Sequence, residues 1–255
     1  MCAKVFKLFR SARNVVVLQF GARVKNQDGR EVMALFPFFM NIRGKTGLII
    51  GGGKHALEKI ERLCPYEPKL LVLAETFLPE MEELFTVKPD GEATESSLLH
   101  TVSVQFIKHS FTESDLDLLP TFVIAATDSR EENRRIAALC KMRRILVNAV
   151  DDAEMSDFIF PSLVAKGKLS IGICTEGASP SVGIQLKKKI ETMLPDRVEE
   201  ILDWLQEKRP VLMREIPDGK KRFAFYHKLS EQCMCENRPL SETEFLEMLE
   251  KQKNV

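Results

Sequence analysis

From Met33 onward, short apolar runs alternate with stretches in which apolar residues recur at helical spacing, the signature of a parallel sheet with crossover helices. Thr46–Ile50 reads as a strand. Lys54–Cys64 follows as a helix with Ala56, Leu57, Ile60 and Leu63 on one face, and Pro65 closes it. Leu70–Ala74, Val102–Ile107, Phe122–Ala126 and the segment "RILVNAV", ending near Asn148, read as further strands. The run "FVIAA" is apolar throughout, as expected of a parallel strand covered on both faces. Phe77–Leu84 and a helix capped by Asp128 or Ser129 and running through Cys140 supply the connections. Residues 33–150 are therefore expected to form a doubly wound α/β domain, a Rossmann-like parallel sheet.

The pattern changes after Val150. "FIFPSLVAKGKLSIGICT" reads as two strands joined at Lys166-Gly167-Lys168, which gives residues 151–180 antiparallel β character. Ser179 and Pro180 supply an N-cap and a first-turn proline for a helix over Ser181–Leu194. The remainder of 181–255 is helical and charged, and Ser241 with Glu244 reads as a capping box opening the last helix. Residues 1–32 are basic and lack a clear period. They read equally as a strand-bearing extension, a flexible basic arm, or the result of a start assigned too far upstream.

Composition narrows the function classes. The 255 residues hold 37 Lys plus Arg against 37 Asp plus Glu, so no global field attracts nucleic acid, and any anionic ligand must meet local cations. The six cysteines form no C-x-x-C pair and no zinc-like combination with the four histidines, and are read as reduced thiols of a cytoplasmic protein, with no metal site. No apolar run approaches the roughly 18 to 20 residues a membrane span needs, and "NVVVLQFGA" lacks a convincing signal cleavage site, so neither membrane nor export is expected.

Candidate chemistry concentrates where strands end. In "IIGGGKHA", Gly51, Gly53 and Ala56 fit G-x-G-x-x-A between a strand and a helix. Gly51 permits the tight turn, Gly53 lets backbone approach a pyrophosphate, and Ala56 lets helix and strand pack closely. Gly52, Lys54 and His55 complete that turn and the first N–H groups of the helix. His55 lacks a ligand partner at metal spacing and reads as a surface residue. Glu75, followed by Thr76, either holds ribose hydroxyls or is merely solvated at a strand end. Thr127 and Asp128 end a buried strand with Asn133 one helical turn on, where a nicotinamide would lie, although Asp128 also reads as a plain helix cap. Asn148, Asp151 and Asp152 follow the fifth strand on the same edge. As a bare motif they read as a turn with a capping carboxylate. "TEGASP", with Thr175 and Ser179, is a polar turn into a helix N-terminus, either an anion site or ordinary capping.

Three segments, "FPFFMNIRGKTGLIIGGGKHALEKIERL", "FVIAATDSREENRRIAALCKMRRILVNAVDD" and "DFIFPSLVAKGKLSIGICTEGASPSVGIQLKKKIETMLP", and their order resemble the precorrin-2 dehydrogenase / sirohydrochlorin ferrochelatase family, which includes the N-terminal module of siroheme synthase. The resemblance runs from about Met33 to Pro195. It implies an NAD-binding Rossmann domain, a dimerisation segment over 151–180, a C-terminal helical domain over 181–255, and a homodimer. The implied reaction is NAD-dependent oxidation of precorrin-2 to sirohydrochlorin, followed in bifunctional members by insertion of ferrous iron. The alternative is a chelatase-only or non-catalytic tetrapyrrole-binding protein of the same fold. The family's acidic residue, in an N-x-V-D pattern, falls on Asp151 and implies a proton acceptor. Asn148, Thr175 and Ser179 are implied to meet the tetrapyrrole, whose many carboxylates call for nearby Arg, Lys and helix N-termini. No methyltransferase module is expected. Two positions depart from the family: Lys54-His55 replaces a small or aliphatic pair, and Glu176 places a negative charge in the turn before the helix.

Overall fold

A computed structural model describes residues 6–10, 16–20, 35–85 and 104–253. The chain divides into two compact units, one ending at Ile159 and one beginning at Phe160. Near the N-terminus, β1 (Phe6–Arg10) and β2 (Val16–Phe20) pair antiparallel with Phe6 opposite Phe20.

The first unit is built on five parallel strands, β3 (Thr46–Ile50), β4 (Lys69–Ala74), β5 (Val104–Lys108), β6 (Phe122–Ala125) and β7 (Leu146–Ala149), in the spatial order β5-β4-β3-β6-β7. The order reverses between β3 and β6, so their carboxyl ends splay their loops apart and leave a crevice. Leu48, Ile50, Val123, Ala125 and Val147 are buried in the sheet, packed against Ile136, Ala137 and Cys140 of α3 (Arg130–Met142). On α1 (Lys54–Leu63), Ala56, Ile60 and Leu63 are buried and Leu57 half-buried, as the spacing predicts. The helix stops one residue before the expected Cys64, which begins a 3-10 turn over Cys64–Tyr66 with Pro65 inside it.

The second connection starts later than its pattern suggests. Phe77 is buried and meets Phe106 edge-on at 5.5 Å, and α2 (Pro79–Phe85) begins with the proline at its first position. Of the strand expected over Val102–Ile107, residues 102 and 103 lie outside the described residues, and β5 continues to Lys108. A 3-10 helix over Glu113–Leu118, capped by Thr112 and Asp115, has no counterpart in the sequence reading. Ser129, not Asp128, is the N-cap of α3: its hydroxyl accepts the Glu132 N–H at 3.2 Å.

The break between units falls after Ile159, later than the change of pattern at Val150, because the intervening residues return along the free edge of β7. The Val147 N–H donates to Asp157 Oδ2, the Asp157 N–H donates to the Val147 carbonyl, and the Ala149 N–H donates to Ser156 Oγ. These bonds satisfy backbone groups an edge strand would otherwise offer to other chains.

In the second unit, β8 (Ser162–Lys166) and β9 (Leu169–Ile173) form the expected antiparallel hairpin. α4 (Pro180–Met193) lies against it, capped by Ser179 with Pro180 at its first position. α5 (Val198–Glu215), α6 (Gly219–Glu236) and α7 (Glu242–Lys253) enclose a core of Ile201, Leu205, Leu212, Phe225, Leu229, Cys233 and Phe245. Ser241 and Glu244 make both bonds of the capping box.

Candidate functional site

A cleft of about 480 Å³ opens at the carboxyl edge of the sheet, at the point where strand order reverses. Its walls come from the loops after β3, β4, β5 and β6. They bring together Gly51, Gly52, Gly53, Glu75, Thr76, Thr127 and Asp128, seven of the residues expected to hold a cofactor, and add His109, Ser110 and Glu132. Lys54, His55 and Asn133 do not line it.

The glycines are required first by the chain itself. Gly51 has φ +132°, and a Cβ there would stand 2.1 Å from the Ala126 carbonyl oxygen. A Cβ on Gly52 would stand 2.0 Å from the Thr76 carbonyl oxygen. The turn is thus pressed between the ends of β4 and β6. Around Gly53 the nearest atom to such a Cβ is Asp128 Oδ1 at 3.5 Å, an ordinary contact. Gly53 is also the N-cap of α1 and supplies no side-chain cap, so the first N–H groups of this ten-residue helix have no capping partner, unlike those of α3 and α4, which serines cap. Uncapped amides at the positive end of a helix dipole, beside a glycine floor, match the pyrophosphate of a dinucleotide. Lys54 and His55 are exposed on that first turn.

Across the cleft, Glu75 follows β4 directly and its carboxylate accepts the hydroxyl of Ser110 from the loop after β5. His109, beside it, lies 3.4 Å through Nε2 from Asp115. On the α3 side, Arg135 binds Glu132 through two bonds of 2.8 and 2.7 Å, and this guanidinium holds the Glu132 carboxyl below its usual range. Asn133 is buried and works on the loop. Its Oδ1 accepts the Thr127 N–H at 2.9 Å and the Thr127 hydroxyl at 2.7 Å, while its Nδ2 donates to the Thr127 carbonyl at 3.0 Å. It therefore shapes the cleft wall without facing the cleft.

The residues after β7 form a cross-tied turn. Asn148 is buried and its amide donates to the Phe158 carbonyl at 2.9 Å. Ser156 Oγ donates to the carbonyls of Ala149 and Asp152. The Asp152 side chain is 2% exposed and receives Arg130 and Arg134 of α3. Within this turn Asp151 is exposed and sits at φ +59°, the left-handed region that costs a non-glycine residue free energy although Asp tolerates it better than most. In the second unit, Thr175 Oγ1 donates to the Ser179 carbonyl at 3.2 Å, Ser179 Oγ caps α4, and Glu176 and Gly177 both have positive φ. Thr175 and Ser179 are thus engaged in turn and cap bonds.

His109, Ser110, Arg130 and Arg134 were not singled out in the sequence. The rule that ligands meet carboxyl ends of parallel strands points to His109 and Ser110 once β5 is seen to end at Lys108. The arginines look like helix-surface charges until Asp152 is found buried beneath them.

A family model described as "Putative NAD(P)-binding" matches residues 38–162. A siroheme synthase of Gluconobacter oxydans (strain 621H) is 32% identical over 201 residues, 77% of this chain and 38% of that protein. One of Thioalkalivibrio sulfidiphilus (strain HL-EbGR7) is 29% identical over 199 residues, 78% of this chain and 38% of the other. The chain thus spans less than half the length of these curated relatives. Among solved structures, "SirC, precorrin-2 dehydrogenase" superposes with a TM-score of 0.57 at 22% identity, covering 87% of this chain and all of that one. With sequence likeness sustained over three quarters of its length and the dinucleotide cleft in place, the chain is a homologue of the siroheme synthases, built on the fold of the precorrin-2 dehydrogenase SirC.

Proposed function

We propose that the protein oxidises precorrin-2 to sirohydrochlorin with NAD as the acceptor, and that Asp151 takes up the proton released. The observation that carries this reading is the pairing of an uncapped, glycine-floored helix N-terminus with an exposed carboxylate held in a strained turn two strands away on the same sheet edge. Bound NAD supplies the redox chemistry by accepting a hydride from the macrocycle. The chain's own residues do the rest. Gly51, Gly52 and Gly53 with the first amides of α1 hold the pyrophosphate. Glu75 and Thr76 receive the ribose hydroxyls, and Thr127 and Asp128 border the nicotinamide end. Oxidation removes a hydride and a proton together, so a base must accompany the cofactor, and Asp151 is the solvent-facing carboxylate of the β7 turn.

The same carboxylate suits a second step. Inserting ferrous iron, here a substrate, displaces the inner N–H protons of sirohydrochlorin, and Asp151 would accept them in turn. Asn148 holds that turn through its bond to the Phe158 carbonyl. In the second unit, the α4 N-terminus at Thr175 and Ser179 is by itself a candidate site for a carboxylate. We further propose a homodimer formed through residues 151–180 and α4. Val182 and Leu186, one turn apart on the same side of that helix, are 46% and 41% exposed, an apolar strip that a second copy would cover.

The test is anaerobic incubation of the purified protein with enzymatically generated precorrin-2 and NAD, following the sirohydrochlorin spectrum with and without ferrous ion, alongside Asp151→Ala. NAD-dependent formation of sirohydrochlorin that the variant loses supports the reading. Turnover by the variant at the wild-type rate overturns the role of Asp151. A folded wild-type protein that binds NAD but leaves precorrin-2 unchanged overturns the dehydrogenase.

A further inference from the structure

We propose that Arg130 and Arg134 of α3 form a subsite for a carboxylate of the substrate, an inference that rests on the tetrapyrrole reading above. Both side chains converge on one acceptor atom. Arg130 Nε and Nη2 each lie 3.4 Å from Asp152 Oδ2, and Arg134 Nε lies 3.2 Å from the same oxygen. The second oxygen of Asp152 accepts the Met155 N–H at 3.3 Å. Two guanidinium groups thus share a single carboxylate oxygen at distances near the outer limit of hydrogen bonding.

The imbalance between the partners is what points outward. The Asp152 side chain is 2% exposed, whereas Arg130 is 69% exposed and Arg134 47%. The carboxylate is the fixed floor, and the cations stand over it in solvent. Arg134 Nη2 has only a remote second contact, 4.0 Å from Glu154, and Arg130 has no other hydrogen bond or ion pair among the described residues. Most of their donors therefore remain free for a planar acceptor, which a guanidinium fork binds in bidentate fashion.

Position gives the acceptor its identity. Arg130 follows Asp128 of the cofactor cleft by two residues, and the carboxylate it shares belongs to the residue after Asp151. The pair therefore bridges the wall of the dinucleotide cleft and the proposed proton acceptor. Acidic groups outnumber the free cations here: Asp128 lines the cleft, Glu132 lines it but is paired with Arg135, and Glu131, Asp151 and Glu154 are exposed nearby in the chain. A polycarboxylate substrate would be repelled by that edge unless cations received it, and Arg130 and Arg134 are placed there to do so.

The experiment titrates the full-length protein with uroporphyrin I, a macrocycle bearing a carboxylate on every side chain, and reads binding by porphyrin fluorescence, with NAD binding and melting temperature measured in parallel. Arg130→Gln and Arg134→Gln should each weaken uroporphyrin binding about tenfold or more, the scale of a lost charge-assisted contact, and leave NAD binding unchanged. Asp152→Asn removes the competing carboxylate while keeping both cations, so binding should stay equal or tighten. Where the arginines only hold the turn, Asp152→Asn weakens binding as much as the arginine variants do, and that result overturns the subsite. So do unchanged binding in both arginine variants, a parallel loss of NAD affinity, and a wild-type protein that does not bind uroporphyrin. If wild type binds uroporphyrin in this charge-dependent way yet does not turn over precorrin-2, the subsite stands and the dehydrogenase reading fails. Should Arg130→Gln not fold, Arg134→Gln and Asp152→Asn carry the same comparison.

Discussion

Gly52 lies directly beneath the carbonyl of Thr76, so close that a side-chain carbon on it would stand 2.0 Å from that oxygen. The middle glycine of the turn is therefore more constrained than Gly53, which has ordinary contact distance around it. Gly52→Ala must push the β3–α1 turn away from the end of β4, at a cost of about 1 to 3 kcal/mol by the usual scale of overpacking. We expect a lowered melting temperature and at least tenfold weaker NAD binding for Gly52→Ala. Gly53→Ala, which replaces a glycine N-cap by a poorer one but meets no backbone clash, should lower the melting temperature less than Gly52→Ala and lose affinity mainly through contact with the ligand. Calorimetric titration with NAD and thermal melts on both variants check the order. Equal stability of the two would show that the turn has room to shift.

The bond between Glu75 and Ser110 fixes a carboxylate at the cleft mouth, where the adenosine ribose of a dinucleotide is expected. No Lys or Arg lines the cleft among the described residues. A phosphate on the ribose would meet a fixed negative charge without a cation to offset it, so the site should take NAD and reject NADP. Glu75→Gln should weaken NAD binding and narrow the preference, and Ser110→Ala should do the same to a smaller degree by freeing the carboxylate to move. Binding constants for both dinucleotides across these variants decide it. A preference unchanged in Glu75→Gln would remove Glu75 from cofactor selection.

The parallel sheet was legible because its strands are short and mostly apolar, with β6 and the Leu70–Ala74 stretch of β4 wholly so, and the intervening helices keep their apolar spacing, as at Ala56, Ile60 and Leu63. Caps were legible for the same local reason, since Ser129, Ser179 and Ser241 act within a few residues of themselves. Partners distant in sequence were not. Ser110 reaches Glu75 across 35 residues and Arg130 reaches Asp152 across 22, and neither side chain has an apolar period or fixed spacing to announce it. Phe77, expected in a helix, is instead recruited into the core by Phe106, a tertiary contact that outweighs local propensity.

At the end of the second unit, Arg238 donates to both oxygens of Glu244, at 2.9 and 2.7 Å, and the Ser241 N–H and hydroxyl donate to Oε2 of the same carboxylate. The Arg238 bonds, followed by those of Ser241, hold the Glu244 carboxyl far below its usual range. A depressed folded value means that the unfolded chain binds the proton more readily. The network therefore stabilises the fold fully above the unfolded carboxyl value of about 4.3, and that contribution is lost as pH falls below it. Glu244→Gln should melt a few degrees lower at neutral pH, and the gap to wild type should begin to narrow as pH falls below about 4.3 and be clearly smaller at about pH 3. A gap that stays constant across that range would show that protonation of Glu244 is not linked to stability.

Cysteine reactivity should divide by burial. Desolvation pushes the Cys140 thiol up to about 12, with the nearby Asp157 carboxylate adding to the shift, and burial likewise raises Cys64 and Cys233. The thiolate is the nucleophile, so these groups should resist alkylation while the protein is folded. Cys174, in the turn before α4, and Cys235, on α6, are exposed. Iodoacetamide labelling of the native protein, read by peptide mass mapping, should mark Cys174 and Cys235 within minutes to hours and leave Cys140 unmarked until denaturant is added. Labelling of Cys140 at a rate comparable to Cys174 in the native protein would mean that α3 opens from the sheet far more often than its packing against Val147 and Ala149 allows. Substrate that meets the α4 turn should in turn slow labelling of Cys174 without affecting Cys235, which makes the exposed thiol a reporter of the residues around Thr175 and Ser179.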